Sequence, residues 1–437
     1  MKKLFKLKTS YIPLILLEVY LIITIMILIF GPVRFNLHSP ILFWILIFLY
    51  HVFFIFGYLV GLQRVRSNKV IIHNFSKVKF NSLLFFGTLG VLITYKNLMN
   101  SNLLIPVNFF DDLLRGLKEP ALVYVERMSS TVYEGAGTSR LLNVSFILFA
   151  FCKLLFIFYS MWFWKFLSKK RKLMCVIYCL FFISPSLAAG VNSVLFLFVF
   201  FFFSSVLIIY YLHYKHKLKK SLFIKIAIIM LIPIYSFGNL MSTRGGSFDY
   251  FVNSSPIGDI SVVTSDVDYT NLSPLESLQY ASVWLDFYLV QGYYGFSLIL
   301  EEDFKWTYGF GSSAFLQRQL NLLTGIDVSN LTYQSRNDNI WGEHSMWHSF
   351  YGQFANDFSP LGLIVLMYII GLFLSNVWRS VIIRNSFYGA ALLPMFIIMF
   401  IFFPANNQVF GYIDSLSYFV FISVFWLFEN YKLKLSN

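Results

Sequence analysis

The feature that most constrains this chain is a series of long apolar runs, separated from one another by segments rich in polar and basic residues. A helix needs about 20 mainly apolar residues to cross the roughly 30 Å hydrocarbon core of a bilayer. The runs are continuous rather than alternating, and lipid offers the backbone no hydrogen-bond partners, so each run predicts a transmembrane helix. The predicted spans, about ten, lie near 11–30, 41–61, 81–99, 142–166, 172–190, 192–212, 222–241, 359–378, 387–404 and 411–428.

Composition excludes an ordinary soluble globular protein. Hydrophobic residues make up 58% of the 437 residues and charged residues 13%, whereas soluble domains are about 45–50% apolar and about 25% charged. The net charge is +13, but the Lys and Arg residues lie between the apolar runs, where they orient helices in a membrane rather than bind nucleic acid. Cys152, Cys175 and Cys179 fall inside apolar runs and are interpreted as packing residues.

The distribution of charge predicts the orientation of the helices. With the N-terminus inside, most of the 34 basic residues fall on the cytoplasmic side, and the acids gather in the two longest segments of the opposite side. Cytoplasmic loops of membrane proteins carry such an excess of Lys and Arg. Both termini are therefore predicted to be cytoplasmic, which requires an even number of spans.

Two long segments are predicted to lie on the outer, non-cytoplasmic face. Residues 1–241 would hold seven helices with an outer loop near 100–141, where apolar residues at helical spacing predict an interfacial helix. Residues 242–346 would form a large outer loop that caps the membrane helices, and 347–437 would hold the last three helices. Within the large loop, 283–300 is apolar but interrupted by polar residues, which predicts an interfacial or re-entrant helix. The predicted fold is all-α and polytopic, with short helices in the large outer loop.

Four basic residues lie in the large outer loop, where the excess of Lys and Arg on the cytoplasmic side makes them unexpected. They are Arg244, Lys305, Arg318 and Arg336. Arg244 lies in STRGG at the end of the seventh predicted helix, and glycines let a backbone approach a ligand closely. Arginine is the preferred residue for bidentate contacts with phosphate. The arginines are therefore candidates for phosphate binding, and ion pairing with the acids of the loop stays open as the alternative.

His344 and His348 lie four residues apart in GEHSMWHSFYGQFANDFSPLG. A histidine can act as a general base near neutral pH. The spacing also suits a metal, but no nearby Cys or acid completes an obvious tetrahedral set, so no metal site is predicted. The two histidines are candidates for catalysis or substrate contact, and a structural role stays open.

Other charged residues give weaker hypotheses. Lys153 lies in the middle of the fourth predicted span, where a charge is costly, and Glu18 of the first span is predicted as its partner from its depth. A cation facing a lipid-phosphate cavity is the alternative. The DxD of Asp266 and Asp268 is interpreted as solvated loop, because the outer face has no supply of nucleotide sugars. The pair at 111–112, two aspartates in the other outer loop, is a further candidate for a catalytic acid.

The end of the large loop resembles a known family. The stretches YYGFSLILEEDFKWTYGFGSSAFLQRQL, TYQSRND and MWHSFYGQFANDFSPLGLIVLMYIIGL, within 293–371, are similar to the Wzy-type polymerases, which polymerise oligosaccharide repeat units of O-antigen or capsule. The order matches as well, because a long outer loop closes with W-x-S-x-Y and D-F-x-x-x-G where the next span starts. One departure is the turn at 184–193, SPSLAAGVNS, which lacks the Arg that related polymerases often have there.

The resemblance implies a GT-C-like fold and a glycosyltransferase of the bacterial cytoplasmic (inner) membrane. The growing glycan would move from undecaprenyl pyrophosphate onto an incoming lipid-linked repeat unit at the outer face. No metal, nucleotide or other cofactor is implied. The expected partners are the undecaprenyl pyrophosphate-linked oligosaccharide and membrane lipids, and a chain-length regulator is a candidate protein partner.

The resemblance also suggests roles for residues of the loop by their position. The arginines would hold the pyrophosphate: Arg244, Arg318 and Arg336. The candidates for the catalytic base beside the acceptor are His344, His348 and Asp357. The aromatic side chains expected to contact the glycan are Trp347 and Tyr351.

Two other functions remain open from the sequence. An O-antigen ligase would share the late outer loop and differ in the acceptor. A flippase for lipid-linked oligosaccharides would be expected to show paired halves, midplane charges and short loops. The chain has no evident halves and has a long loop, so the polymerase is the preferred hypothesis.

Overall fold

The fold is mostly helical. The structure, a computed structural model, describes residues 9–63, 70–99, 103–120, 122–123, 126, 140–191, 193–213, 221, 224, 258–262, 274–343 and 346–435. The elements of the first half are α1 (Ile12–Phe30), β1 (Val33–Phe35), α2 (Pro40–Gln63), α3 (Lys77–Leu98), α4 (Phe109–Lys118), α5 (Arg140–Trp162), α6 (Lys169–Ala188) and α7 (Ser193–His213). Those of the second half are β2 (Ile260–Val262), α8 (Pro274–Ile299), α9 (Ala314–Thr324), α10 (Tyr333–Arg336), α11 (Phe350–Arg384), α12 (Phe387–Phe402) and α13 (Ile413–Leu435).

Several helices have the length and composition expected of a helical membrane protein. Among the described helices, six are long and apolar enough to cross a membrane, namely α1, α2, α3, α6, α7 and α11. The helix α12 and the 149–162 part of α5 are apolar but shorter. Helices occupy every predicted span that falls on described residues, and the predicted span at 222–241 lies outside them.

The chain divides into two compact units built from separate stretches of sequence. Unit 1 comprises Met1–Ser67, Lys220–Ser380 and Met399–Tyr412. Unit 2 comprises Asn68–Lys219, Val381–Ile398 and Ile413–Asn437. Unit 1 therefore holds α1, α2, the two strands, α8, α9, α10 and most of α11, and unit 2 holds α3 to α7, most of α12, and α13.

In unit 1, α2 and α11 cross at very short range through glycines. A Cβ at Gly57 would lie 2.0 Å from the carbonyl oxygen of Tyr368, and one at Gly371 would lie 2.1 Å from that of Phe54. Gly61, one turn after Gly57, faces α11 in the same way. Small residues on both sides of a helix crossing are typical of packing in membranes, because apolar burial between helices brings little gain in lipid.

A small sheet and α8 cover the connection between α1 and α2. The strands β1 and β2 are antiparallel, with Arg34 opposite Ser261, a sheet that the all-α prediction did not include. Phe35 stacks on Phe287 of α8 at 5.9 Å between ring centroids, and His38 contacts Glu301 just beyond α8. Between these two contacts, the hydroxyl of Tyr293 in α8 lies 3.0 Å from Thr24 Oγ1 of α1. That 283–300 forms an interfacial or re-entrant helix stays a prediction.

The helix α11 is broken near its start. Ser359 has φ 63° and ψ 161°, outside the helical region, and Pro360 follows it. Proline has no N–H to donate, and it disfavours helical geometry in the residue before it. The hydroxyl of Tyr50 donates to the carbonyl oxygen of Pro360 at 2.6 Å. The first two turns of α11 are thereby separated from its long apolar part.

Unit 2 is a helical bundle in which α3 packs along α5, and α5 along α13. The helix α4, in the segment predicted to hold an interfacial helix, packs against α6. Phe110, Leu114 and Leu117 of α4 are exposed, as expected of a helix that lies in the membrane interface. All three cysteines are free thiols.

Candidate functional site

The strongest candidate site lies in unit 1, where residues of 341–343 and 346–351 rest on one face of α8. Glycine makes this close contact possible. A Cβ at Gly292 would lie 2.6 Å from the backbone nitrogen of Ser349. One at Gly295 would lie 3.1 Å from Trp341 Nε1 and 3.3 Å from His348 Nδ1. The backbone and side chains of the W-x-S-x-Y segment are therefore held directly against the helix.

Trp347, predicted to contact the glycan, is fixed by three contacts. Its backbone N–H donates to Gln291 Oε1 at 3.2 Å, and its carbonyl accepts from Trp341 Nε1 at 3.1 Å. Its ring meets that of Tyr288 edge to face at 4.6 Å. The indole is half-buried, so an aromatic surface of the kind on which sugar rings pack remains accessible beside α8.

His348 is buried, with 4% of its surface exposed, and lies against Gly295. It immediately precedes the start of α11, as Ser349 and Phe350 follow it. The structure thus brings His348 and Trp347 together on α8. His344 and Arg244, the two other predicted site residues of this region, lie outside the described residues.

Tyr351 is completely buried in a group of aromatic rings. It stacks on Tyr50 at 5.2 Å, and Tyr293 lies nearly parallel at 6.4 Å. Its hydroxyl has no hydrogen-bond partner among the described residues. A buried hydroxyl without a partner is uncommon and needs an explanation, such as a bound molecule.

Arg336 is held by an acid of the same loop. Its Nη1 donates to Glu302 Oε2 at 2.8 Å and its Nη2 to the carbonyl of Asp303 at 2.9 Å. The guanidinium also lies over the ring of Tyr333 at 4.8 Å. Its Nε is buried and has no partner among the described residues. Arg318, on α9, is exposed, so of these two described arginines Arg336 is the one built into the loop framework.

Asn356 connects the Arg336 loop to the start of α11. Its Oδ1 accepts the N–H of Tyr333 at 2.9 Å, and its Nδ2 donates to Gln334 Oε1 at 2.7 Å. Gln334 in turn donates to the carbonyl of Gly352 at 3.1 Å. The helix α10, which ends at Arg336, is therefore fixed to the same two turns of α11 that follow His348.

Asp357, predicted as a candidate base, organises the preceding loop. One carboxylate oxygen accepts from Thr307 Oγ1 at 2.6 Å and from the N–H of Gly311 at 3.0 Å. The other accepts from the N–H of Ser312 at 2.8 Å. Because both oxygens already accept hydrogen bonds from the chain, the geometry favours a structural role for Asp357 and leaves the histidines as the better candidates.

Gln291 and Asp286 of α8 were not predicted as site residues. In the sequence they only interrupt the apolar run at 283–300. Gln291 is 1% exposed, and its Nε2 has no hydrogen-bond partner among the described residues. Asp286 is half-buried, and burial raises the pKa of its carboxyl group to about 6. A carboxyl group that titrates near neutral pH is typical of functional sites. Isolated polar residues within an apolar run were the signal that could have identified both.

A second cluster in unit 1 surrounds His38. Its Nε2 lies 2.7 Å from Asp259 Oδ2, and its Nδ1 lies 3.2 Å from Glu301 Oε2. Burial lowers the pKa of His38, but hydrogen bonds and charge attraction from Asp259 and Glu301 outweigh it and raise the pKa above 6.5. The hydroxyl of Tyr294 also donates to Asp259 at 3.0 Å. Sequence reasoning missed this cluster because its members are far apart in the chain.

The prediction that Lys153 pairs with Glu18 is wrong. Lys153, 1% exposed, donates to Asp414 Oδ2 at 2.6 Å and to Thr94 Oγ1 at 2.5 Å, all within unit 2. Glu18 lies 2.7 Å from His51 Nδ1 in unit 1. The depth of a residue in the membrane does not specify which other helix packs against it. Depth alone therefore could not identify Asp414 as the partner of Lys153.

The remaining acidic candidates have partners in unit 2 or lie outside the described residues. Asp112 of α4 accepts a hydrogen bond from the hydroxyl of Tyr95, within unit 2. Asp266 and Asp268 lie outside the described residues. Among the described residues, no group of three or more His, Cys, Asp and Glu is placed to hold a metal ion.

Comparisons with known proteins do not extend these observations. No protein-family model, curated protein or solved structure matches the chain.

Proposed function

We propose that the chain is a membrane glycosyltransferase that polymerises undecaprenyl pyrophosphate-linked repeat units into O-antigen or capsular polysaccharide. The observation that supports it best is the arrangement on α8. There Trp347 offers a half-buried indole, Gln291 has a buried amide nitrogen without a partner among the described residues, and His348 lies beside them. Aromatic faces with a few placed polar groups are typical of ligand sites.

The proposed reaction is a single displacement at the anomeric carbon of the donor. The acceptor hydroxyl oxygen forms a bond to that carbon as the bond to the pyrophosphate oxygen breaks. The hydroxyl proton passes to a base, which we assign to His344 or His348. The electron pair of the broken bond stays on the leaving pyrophosphate.

Arg336 would stabilise the charge that develops on the pyrophosphate. Positioned cations aimed at a leaving group contribute several kcal/mol to catalysis. Glu302 now occupies one side of the guanidinium, so a pyrophosphate would compete with Glu302 for it. Arg336 would then leave Glu302 and pair with the pyrophosphate when the donor binds.

Deletion of the gene, followed by gel electrophoresis of surface polysaccharide, tests this function. We expect the ladder of long chains to collapse to single repeats and to return with the wild-type chain. His348→Ala and Arg336→Ala should fail to restore it, with turnover lowered by roughly 10²–10⁴-fold for a lost base. Lys305→Ala is the matched control, because it removes an exposed basic residue of the same loop.

The same experiment distinguishes the alternatives. Long chains that persist on the lipid carrier but never reach their final acceptor would indicate a ligase. Repeat units that accumulate in the cytoplasmic leaflet would indicate a flippase and would contradict the enzyme. Immunoblots of membranes must show each variant at wild-type level, so that lost activity is not lost folding.

A further inference from the structure

Unit 2 contains a deep apolar recess that the proposed reaction does not use. It has a volume of about 560 Å³ and is bounded by α5, α6, α7 and the turn after α5. Its lining is almost wholly apolar, with Phe156 and Met161 from α5, Cys179 from α6, and Phe198 and Val206 from α7. Sites of this size accommodate whole small ligands.

The length of the recess matches one leaflet of a bilayer. Along α7 its lining extends from Phe198 to Tyr210, which is about 18 Å at 1.5 Å per residue. The hydrocarbon core is about 30 Å thick, so one leaflet is about 15 Å. The recess therefore has the right depth for a chain that enters from one membrane surface and ends near the midplane.

Two lysines lie at one end of the recess. Lys165 and Trp164 line it at the turn between α5 and α6. The ammonium of Lys172 lies over the ring of Trp164 at 5.4 Å. Neither lysine has a carboxylate partner among the described residues, where the ion pairs are formed by other side chains. A Trp beside Lys residues is typical of the level of lipid headgroups.

We propose that this recess binds one acyl chain of an anionic phospholipid, with the headgroup phosphate on Lys165 and Lys172. The apolar lining suits a hydrocarbon chain. The two lysines, which have no carboxylate partner among the described residues, supply positive charge that complements a phosphate. Basic pockets between helices on the cytoplasmic side bind anionic headgroups in this way. The charge bias of the sequence predicts that this end of the bundle is cytoplasmic. The site is independent of the proposed reaction.

Native mass spectrometry of the full-length chain in detergent tests the headgroup. With phosphatidylglycerol added, we expect the wild-type chain to retain one lipid, and with phosphatidylcholine none. The double variant Lys165→Ala, Lys172→Ala should lower retention of phosphatidylglycerol by roughly 30-fold, from about 1 kcal/mol per lysine. Lys170→Ala is the matched control, because Lys170 is exposed and does not line the recess.

Thiol labelling in liposomes tests the acyl chain separately. With Cys152 and Cys175 replaced by Ser, a small apolar maleimide should react with Cys179 more slowly in phosphatidylglycerol vesicles than in phosphatidylcholine vesicles. The double lysine variant should abolish the difference. Equal labelling in both vesicles, or equal retention by the double variant, would overturn the proposal. Displacement of phosphatidylglycerol by an equimolar polyprenyl phosphate would overturn the assignment to a phospholipid and identify an isoprenoid site.

Discussion

At the scale of single residues, charged groups in this protein are stabilised by partners that lie far away in the chain. His38 lies between Asp259 and Glu301, and Lys153 donates to Asp414. An ionised group away from water is costly unless it is paired and hydrogen-bonded. Each pair therefore fixes two distant parts of one unit to each other, and each can be tested by removing one partner.

The His38 cluster should make stability depend on pH. Because the folded pKa of His38 is raised above 6.5, its charged form stabilises the fold at pH values below 6.5, and that contribution is lost as pH rises through the folded pKa. Thermal unfolding in detergent between pH 5 and pH 9 should show the loss. His38→Gln should reduce the fall of the unfolding temperature as pH rises. An unfolding profile like that of the wild-type chain would contradict the prediction.

The Lys153–Asp414 pair should show the behaviour of a buried ion pair. Lys153→Met alone leaves the Asp414 carboxylate buried without its cation and should cost about 3–5 kcal/mol. The double change Lys153→Met, Asp414→Leu should cost clearly less, because no uncompensated charge remains. Denaturation of both variants in the same detergent measures the difference. Equal losses for the single and double variants would show that the pair is not coupled.

At the scale of elements, the membrane helices were predictable and their partners were not. Length and continuity of apolar runs predicted α1 and α2 to within a few residues, because the thickness of the bilayer constrains both. The three-residue strands carry no periodic signal, and Asp357 bonds to Thr307, which lies 50 residues away. Such contacts depend on tertiary packing, which a single sequence does not specify. The candidate residues of 347–351 were found because they form a motif, whereas Gln291 was found only from its burial.

The close contact of α8 with Ser349 and Pro404 can be tested with the same change, Gly→Ala, at two positions. A Cβ at Gly292 would lie 2.4 Å from the carbonyl oxygen of Pro404, so Gly292→Ala must displace backbone. Overpacking of this kind costs about 1–3 kcal/mol. Gly352→Ala is the control, because the nearest atom there is 3.6 Å away and alanine favours a helix by up to about 1 kcal/mol.

Thermal unfolding and polysaccharide ladders would measure both variants. Gly292→Ala should unfold earlier and yield shorter chains, whereas Gly352→Ala should match or exceed the stability of the wild-type chain. The close contact would be disproved if both variants behaved alike.

At the scale of the whole molecule, the proposed site requires that its segments lie on the outer face of the membrane. The described helices agree with the predicted spans, and α8 contacts the connection between α1 and α2. If 222–241 crosses the membrane as predicted and α8 does not, the loop after α8 lies on the outer face and both termini lie inside. The predicted orientation of the site therefore depends on α8 and on the predicted span at 222–241, which lies outside the described residues.

Single cysteines in a cysteine-free chain would determine the orientation. Lys305→Cys and Lys170→Cys place thiols at exposed positions after α8 and at the start of α6. A maleimide that cannot cross the membrane should label position 305 in intact cells and position 170 only after permeabilisation. Labelling of both positions only after permeabilisation would mean that α8 crosses the membrane or that 222–241 does not, and in either case the proposed outer site would be wrong.

The break at Ser359 and Pro360 has a consequence for how such a protein can diversify. Residues of 307–312, 333–334 and 352–357, all before the break, form one hydrogen-bonded framework, whereas residues after it belong to the long apolar part of α11. If the proposed function holds, the break separates the part that recognises the glycan from the part that anchors the chain, so one part can change while the other is kept. Exchange of the framework between two such polymerases should then transfer specificity for the sugar, and new surface polysaccharides could arise by recombination within a single gene.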